Sequence, residues 1–118
     1  MARILLAEDD SSLRGFLTRA LERAGHQVID CENGDDAIDA LEHGPYDLLL
    51  TDIVMPGADG IEVARVAAAR QPDLRIMFIT GFAAVGLSAA QASPQAKVLS
   101  KPVHLRDLVN EVERMVAA

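Results

Sequence analysis

The sequence predicts an α/β fold, a doubly wound five-stranded parallel sheet with helices on both faces. The first observation is an alternation. Apolar stretches rich in leucine or β-branched residues at 3–7, 27–31, 47–51, 75–79 and 97–99 are separated by longer segments of helical period at roughly 11–24, 35–43, 60–70, 84–92 and 104–117, the pattern of repeated βα units. The second is what ends those stretches. Glu8-Asp9-Asp10 follows Ile4-Leu5-Leu6-Ala7, Asp52 closes the run from Tyr46 to Thr51, and Lys101-Pro102 follows Val98-Leu99-Ser100. Parallel strands point their C-terminal ends to one edge, so these acids and this lysine converge there. The third is length: 118 residues suit one domain, 1–118, with a real core and no room for two.

Each element has its own reason. The first strand is the apolar run ending at Ala7. In the first helix Ser11 or Ser12 can cap, Leu13, Phe16, Leu17, Ala20, Leu21 and Ala24 share one face, and Gly25 stops the helix. The second strand, Gln27-Val28-Ile29-Asp30-Cys31, makes the one cysteine a half-buried strand residue and excludes an internal disulfide. The third begins near Asp47 and leads through Asp52 into Ile53-Val54-Met55-Pro56-Gly57, with Asp59 read as a turn residue. The fourth contains Phe78-Ile79, continuous apolar sequence as expected of a strand covered on both sides, and ends at Thr80. The fourth helix is weak. Between Gly81 and Pro94 it has two glycines and few anchors, so it is expected to be short and mobile. The last helix turns Leu105, Leu108, Val109, Val112 and Met115 inward.

A formal net charge of −7 argues against direct nucleic-acid binding, and 3% aromatic residues leave little from which to build a base-stacking platform. No apolar run approaches a membrane span, and Met1-Ala2-Arg3-Ile4 lacks a signal-peptide layout. The expectation is a soluble, cytoplasmic monomer with neither nucleic acid nor membrane among its partners.

The convergent residues suit phosphoryl transfer to a carboxylate. That chemistry needs an oxygen nucleophile, a hard cation and a further positive charge on the transferring oxygens. Asp52 is the candidate nucleophile. Asp9 directly and Glu8 through water are candidate Mg2+ ligands, since Mg2+ keeps several waters and takes one or two carboxylates; the Val54 carbonyl is a further oxygen ligand. Lys101 is expected to pair with Asp52 at rest and with a phosphoryl oxygen afterwards, with Pro102 behind it, and Thr80 offers a hydroxyl to the phosphoryl group.

Leu5-Leu6-Ala7-Glu8-Asp9-Asp10, Leu50-Thr51-Asp52-Ile53-Val54-Met55-Pro56 with Asp59-Gly60, Ile79-Thr80-Gly81 and Ser100-Lys101-Pro102 resemble, in order and over the whole chain, the receiver domain of bacterial two-component response regulators. The resemblance implies a (βα)5 fold with strand order 2-1-3-4-5. It also implies that Glu8 and Asp9 are the metal-binding pair, leaving Asp10 as a helix-entry or solvent residue, and that a histidine kinase or histidine phosphotransfer protein donates the phosphoryl group. More narrowly, Thr80-Gly81-Phe82-Ala83-Ala84-Val85 with Leu99-Ser100-Lys101-Pro102-Val103-His104 is similar to single-domain receivers that regulate proteolysis by the ClpXP machine. That likeness implies ClpX and its substrates as partners, with the unphosphorylated form engaging the protease.

Two positions depart from the common pattern. Val54 stands where many receivers carry a polar side chain facing the attacking water, and Val98 where many carry an aromatic whose rotation reports phosphorylation. In the family the hydroxyl at the Thr80 position moves toward the phosphoryl group as that aromatic fills the space; here the weakly specified segment Gly81 to Ser93 is expected to carry the signal. His26, His43 and His104 read as surface or capping residues. Ala117-Ala118 reads either as a frayed tail or as a tag that an unfoldase grips.

The reading is a stand-alone phosphoryl-accepting switch without an output domain, non-enzymatic apart from self-phosphorylation from small donors and self-dephosphorylation. A constitutive interaction module with a vestigial site would lack Asp52, Lys101 or an acid of the pair, and a phosphohydrolase would need a second acid where Val54 stands.

Overall fold

The structure, a computed structural model, describes residues 1–92 and 95–117. Its strands are β1 (Arg3–Ala7), β2 (Gln27–Cys31), β3 (Leu48–Asp52), β4 (Arg75–Thr80) and β5 (Lys97–Ser100), all parallel and ordered β2-β1-β3-β4-β5. The helices are α1 (Ser11–Arg23), α2 (Gly34–Ala40, continued by a 3-10 turn at Leu41–His43), α3 (Gly60–Arg70), α4 (Ala83–Ala92) and α5 (Leu105–Ala117). The predicted sheet and order are both present. The third strand runs one residue later than expected, so Asp52 is its last residue rather than the one after it.

Side chains alternate across a strand, so each strand feeds two cores. Leu5, Ala7, Leu49, Ile76 and Phe78 pack with Ala37 of α2, Val63, Ala64 and Ala67 of α3 and Ala89 of α4. Ile4, Leu6, Leu48, Leu50, Met77 and Ile79 pack on the other face with Leu17 and Leu21 of α1 and Leu108 and Val112 of α5. Removing one such leucine from water stabilises by about 2 kcal/mol. The central strands β1, β3 and β4 are covered on both sides, and the edge strands β2 and β5 are half-covered.

Several local expectations need correction. Asp10, not a serine, caps α1: its carboxylate accepts from Ser12 N at 3.0 Å and Leu13 N at 3.1 Å, because the backbone turns extended at Asp10 and puts both serines inside the helix. Phe16 is 52% exposed, with the Arg19 guanidinium over its ring at 5.1 Å, so the buried stripe narrows to Leu17 and Leu21 flanked by Leu13. His26 is not a surface residue. It is 6% exposed; Ala2 N donates to its Nδ1 at 3.0 Å, and its Nε2 lies 2.7 Å from Glu113 Oε1. Since Nδ1 accepts a backbone hydrogen, Nε2 carries the ring proton and donates it to Glu113. His43 and His104 are exposed as expected, and the His104 carbonyl opens α5 by accepting from Leu108 N. Val116 packs against the second core beyond the last expected anchor, Met115, and α5 runs to Ala117; Ala118 lies outside the described residues. Asp59 does more than turn the chain: it caps α3 through Glu62 N at 2.9 Å.

The start of α3 presses on the strand that carries Asp52. Gly60 N donates to the Ile53 carbonyl at 2.7 Å, and a Cβ on Gly60 would fall 2.1 Å from the Asp52 carbonyl oxygen and 2.8 Å from Ile53 Cα. Backbone cannot yield there as a flexible side chain would. Gly60→Ala is therefore expected to cost about 3 kcal/mol or more. Gly81→Ala, at an exposed position with open space around it, should stay within about 0.5 kcal/mol of the parent. Urea denaturation of the two variants checks the contrast.

Candidate functional site

The C-terminal edge of the sheet brings together the side chains that end β1, β3, β4 and β5. Asp52 is 5% exposed, and both of its oxygens are engaged: Oδ1 accepts from Ile53 N at 2.7 Å and Oδ2 from Lys101 Nζ at 2.8 Å. Glu8, one residue past β1, is fully buried. Its Oε2 accepts from Asp10 N at 3.1 Å, while its Oε1 lies 3.0 Å from Lys101 Nζ. That second approach is an ion pair with poor hydrogen-bond alignment, because Oε1 is a buried oxygen without a well-directed donor. Asp9 is exposed at the mouth, and Glu8, Asp9 and Asp52 each offer a carboxylate oxygen within 4.8 Å of the others.

The charges explain one another. Burial pushes the Glu8 carboxyl up to about 7, Lys101 and the Asp10 N–H pull it back, and the Asp52 charge adds to the rise. For Lys101, burial is the largest influence and lowers its pKa, but the bonds and charges of Asp52 and Glu8 together outweigh it and hold it above the ordinary lysine value. Lys101 is thus a resident cation between two acids.

Arg14 was not singled out in the sequence. From α1 its Nη1 donates to the Glu8 carbonyl at 2.7 Å and its Nε lies 3.5 Å from Asp30 Oδ2, so it clamps the acidic turn to β2. Its place one turn beyond the capping Asp10 is the only sequence clue. Thr80 is 2% exposed, and its Oγ1 accepts from Phe82 N at 3.1 Å, at the entry to α4. Its carbonyl accepts from Lys101 N at 2.8 Å, which ties β4 to the lysine. Val54 sits in the loop after β3 with its side chain 49% exposed. The Lys101–Pro102 peptide is cis. Cys31 takes no part: burial lifts its thiol to about 11, which keeps it an unreactive thiol at neutral pH.

The candidate ligand atoms clustered here are carboxylate oxygens, and one buried carboxylate oxygen lacks a well-directed partner. Such a set suits a hard divalent cation such as Mg2+, which would satisfy Glu8 and relieve the repulsion among the three acids.

Comparison with known proteins points the same way. The family model described as "Response regulator receiver domain" matches residues 4–113. The chain is 60% identical to the response regulator receiver protein CpdR of Brucella abortus over 119 aligned residues, covering 100% of this chain and 99% of that protein. It is 30% identical to sensor kinase CckA of the same organism, across 98% of this chain but only 12% of that much longer protein. Among solved structures, a response regulator receiver protein from Sinorhizobium medicae superposes with a TM-score of 0.89 at 34% identity, over 98% of this chain and 94% of that one.

The buried glutamate makes stability depend on pH. Its carboxyl ionises near the ordinary 4.5 in the unfolded chain but near about 7 in the fold, so between those values the folded state holds more proton. Stability from this group is complete below the lower value and is lost as pH rises through the upper one. Metal-free protein is expected to become easier to unfold in urea between about pH 5 and pH 7. Glu8→Gln should flatten that slope, and Mg2+ affinity should rise over the same interval as the competing proton leaves.

Proposed function

The chain belongs to the response regulator receiver domain family, and from that premise we propose that it is a stand-alone phosphoryl-accepting switch of a two-component relay. The observation that carries this reading is the pairing of a buried strand-end carboxylate, Asp52, with Lys101 Nζ at 2.8 Å, beside two further acids whose oxygens lie within 4.8 Å. The donor is a phosphohistidine on a histidine kinase or histidine phosphotransfer protein. An Asp52 carboxylate oxygen attacks phosphorus, a P–O bond forms, the P–N bond breaks, and the departing electron pair stays on the imidazole nitrogen. Glu8, Asp9, Asp52 and the Val54 carbonyl would hold Mg2+, which when bound neutralises charge on the transferring group.

The chain's own residues do the rest. Ile53 N–H holds one Asp52 oxygen and thereby orients the other. Lys101 pairs with Asp52 at rest and afterwards has a phosphoryl oxygen to pair with. Thr80, on the neighbouring strand and one register position beyond the partner of Asp52, supplies a hydroxyl that bonds the phosphoryl group.

The full-length likeness to CpdR supports a receiver that signals by protein contact rather than through an attached output domain. On the resemblance of its Thr80–Val85 and Leu99–His104 segments to single-domain receivers that regulate ClpXP, the contact is with that protease and its substrates, in the cytoplasm, made by the unphosphorylated form. The likeness to sensor kinase CckA supports a phosphodonor of the histidine kinase class. No described helix is long and apolar enough to cross a membrane.

Acetyl phosphate with Mg2+ is expected to leave about one acid-labile phosphate per wild-type chain and per Cys31→Ser chain, and none on Asp52→Asn, by intact-mass measurement. Asp52→Asn should also show a smaller rise in Tm with Mg2+ than the wild type, because one ligand charge is gone. Stoichiometric acid-labile phosphate on Asp52→Asn would show that another residue is the acceptor.

The half-exposed Val54 makes the lifetime of the acyl phosphate a separate test. Hydrolysis needs a water held in line with phosphorus, and an aliphatic side chain gives that water no hydrogen bond. Val54→Asn is expected to shorten the half-life while leaving Mg2+ affinity near the parent value. Equal half-lives would assign the water to another group.

A further inference from the structure

The middle of α4 is buried at a glycine. A Cβ placed on Gly86 would stand 3.2 Å from Thr80 Cγ2 and 3.3 Å from Val98 Cγ1, so the helix backbone rests directly on one methyl of β4 and one of β5. Thr80 reaches the same helix a second way. Its Oγ1 accepts from Phe82 N at 3.1 Å, and the Phe82 carbonyl accepts from Gly86 N at 3.0 Å. One side chain therefore holds the entry of α4 by its hydroxyl and the centre of α4 by its methyl.

Hydroxyl and methyl share one torsion in threonine, and that torsion has only staggered wells. The hydroxyl cannot swing to a new partner without carrying the methyl off Gly86. We infer that Gly86 is a positioning residue whose missing side chain seats α4 on Thr80 and Val98, so that the rotamer of Thr80 sets the seat of the helix. The inference rests on the reading of Thr80 as the hydroxyl that bonds the phosphoryl group. It adds the contact through which that bond is felt at the surface, where Phe82 and Leu87 are exposed by 59% and 62%. Coupling is reciprocal: whatever weakens the resting seat also eases phosphoryl binding.

The test uses the full chain, Mg2+ and beryllofluoride as the phosphoryl mimic, with hydrogen exchange of residues 81–92 and mimic affinity by fluorine NMR as readouts. Gly86→Ala crowds Thr80 Cγ2 and Val98 Cγ1. The expected result is several-fold faster exchange of α4 without the mimic, a smaller change on adding it, and tighter mimic binding. Helix propensity alone predicts the opposite, slower exchange, since alanine favours a helix more than glycine does. Adding Val98→Ala makes room for the new methyl and should return both exchange and mimic response toward wild type. A Gly86→Ala chain that does not fold, beside a double variant that folds and responds, supports the same contact. Slower exchange in Gly86→Ala with a wild-type response, or a double variant no closer to wild type than the single one, overturns the inference. Failure of the wild-type chain to take up the mimic overturns the phosphoacceptor reading, and this inference with it.

Discussion

Lys101 between Glu8 and Asp52 is the interaction on which the functional end of the molecule depends. Its ammonium sits 2.8 Å from one carboxylate and 3.0 Å from the other, and both acids are buried. Two carboxylates held that close without a cation would drive each other toward protonation or push the strand ends apart. A lysine at the end of β5 therefore fastens β1 and β3 across β4, the strand between β3 and β5. The sheet order makes this possible, because β1, β3 and β4 run side by side and β5 follows at the edge.

Much of the rest of the site is built by backbone. Ile53 N, Asp10 N and Lys101 N each make a hydrogen bond that aims a neighbouring group. Gly60 lets α3 touch the carbonyl of Asp52. The acidic turn is gripped from behind by Arg14 through the Glu8 carbonyl, which leaves the carboxylates free for other partners. Such a site is rigid where charge is held. It is loosely anchored on the side of α4, where, among the described residues, the completely buried side chain is an alanine, Ala89.

The parallel sheet and the convergence of Glu8, Asp9, Asp52, Thr80 and Lys101 were legible because each rests on a local pattern, an apolar run with a polar residue at its end, whereas the strand order came only from the resemblance to receiver domains. Capping of α1 was legible only as a region. Asp10, Ser11 and Ser12 are all good caps, and the turn of the backbone decided among them. His26 was misread because its partners, Ala2 and Glu113, lie 24 and 87 positions away; a glycine beside a histidine says turn, and nothing nearby says burial. Phe16 fits the periodic stripe of α1, yet it is half exposed with the Arg19 guanidinium over its ring. The role of Arg14 and the seat of α4 on Thr80 were beyond reach for the same reason as His26, being contacts between elements that only the fold brings together.

The clasp of Glu113 on His26 has a mechanical consequence. His26 stands at the entry to β2 and also holds Ala2, just ahead of β1, so α5 is latched to the opposite side of the sheet from β5. Pulling on the chain from the α5 side loads that latch together with the packed Leu108 and Val112. Next under load comes β5, a four-residue edge strand bonded on one side only, and with it goes Lys101. From that moment Glu8 and Asp52 face each other without their cation, and the remaining strands carry an electrostatic spring that helps the pull. The latch therefore adds to the packing of Leu108 and Val112 in holding α5, through a histidine and a glutamate far from any phosphoryl chemistry.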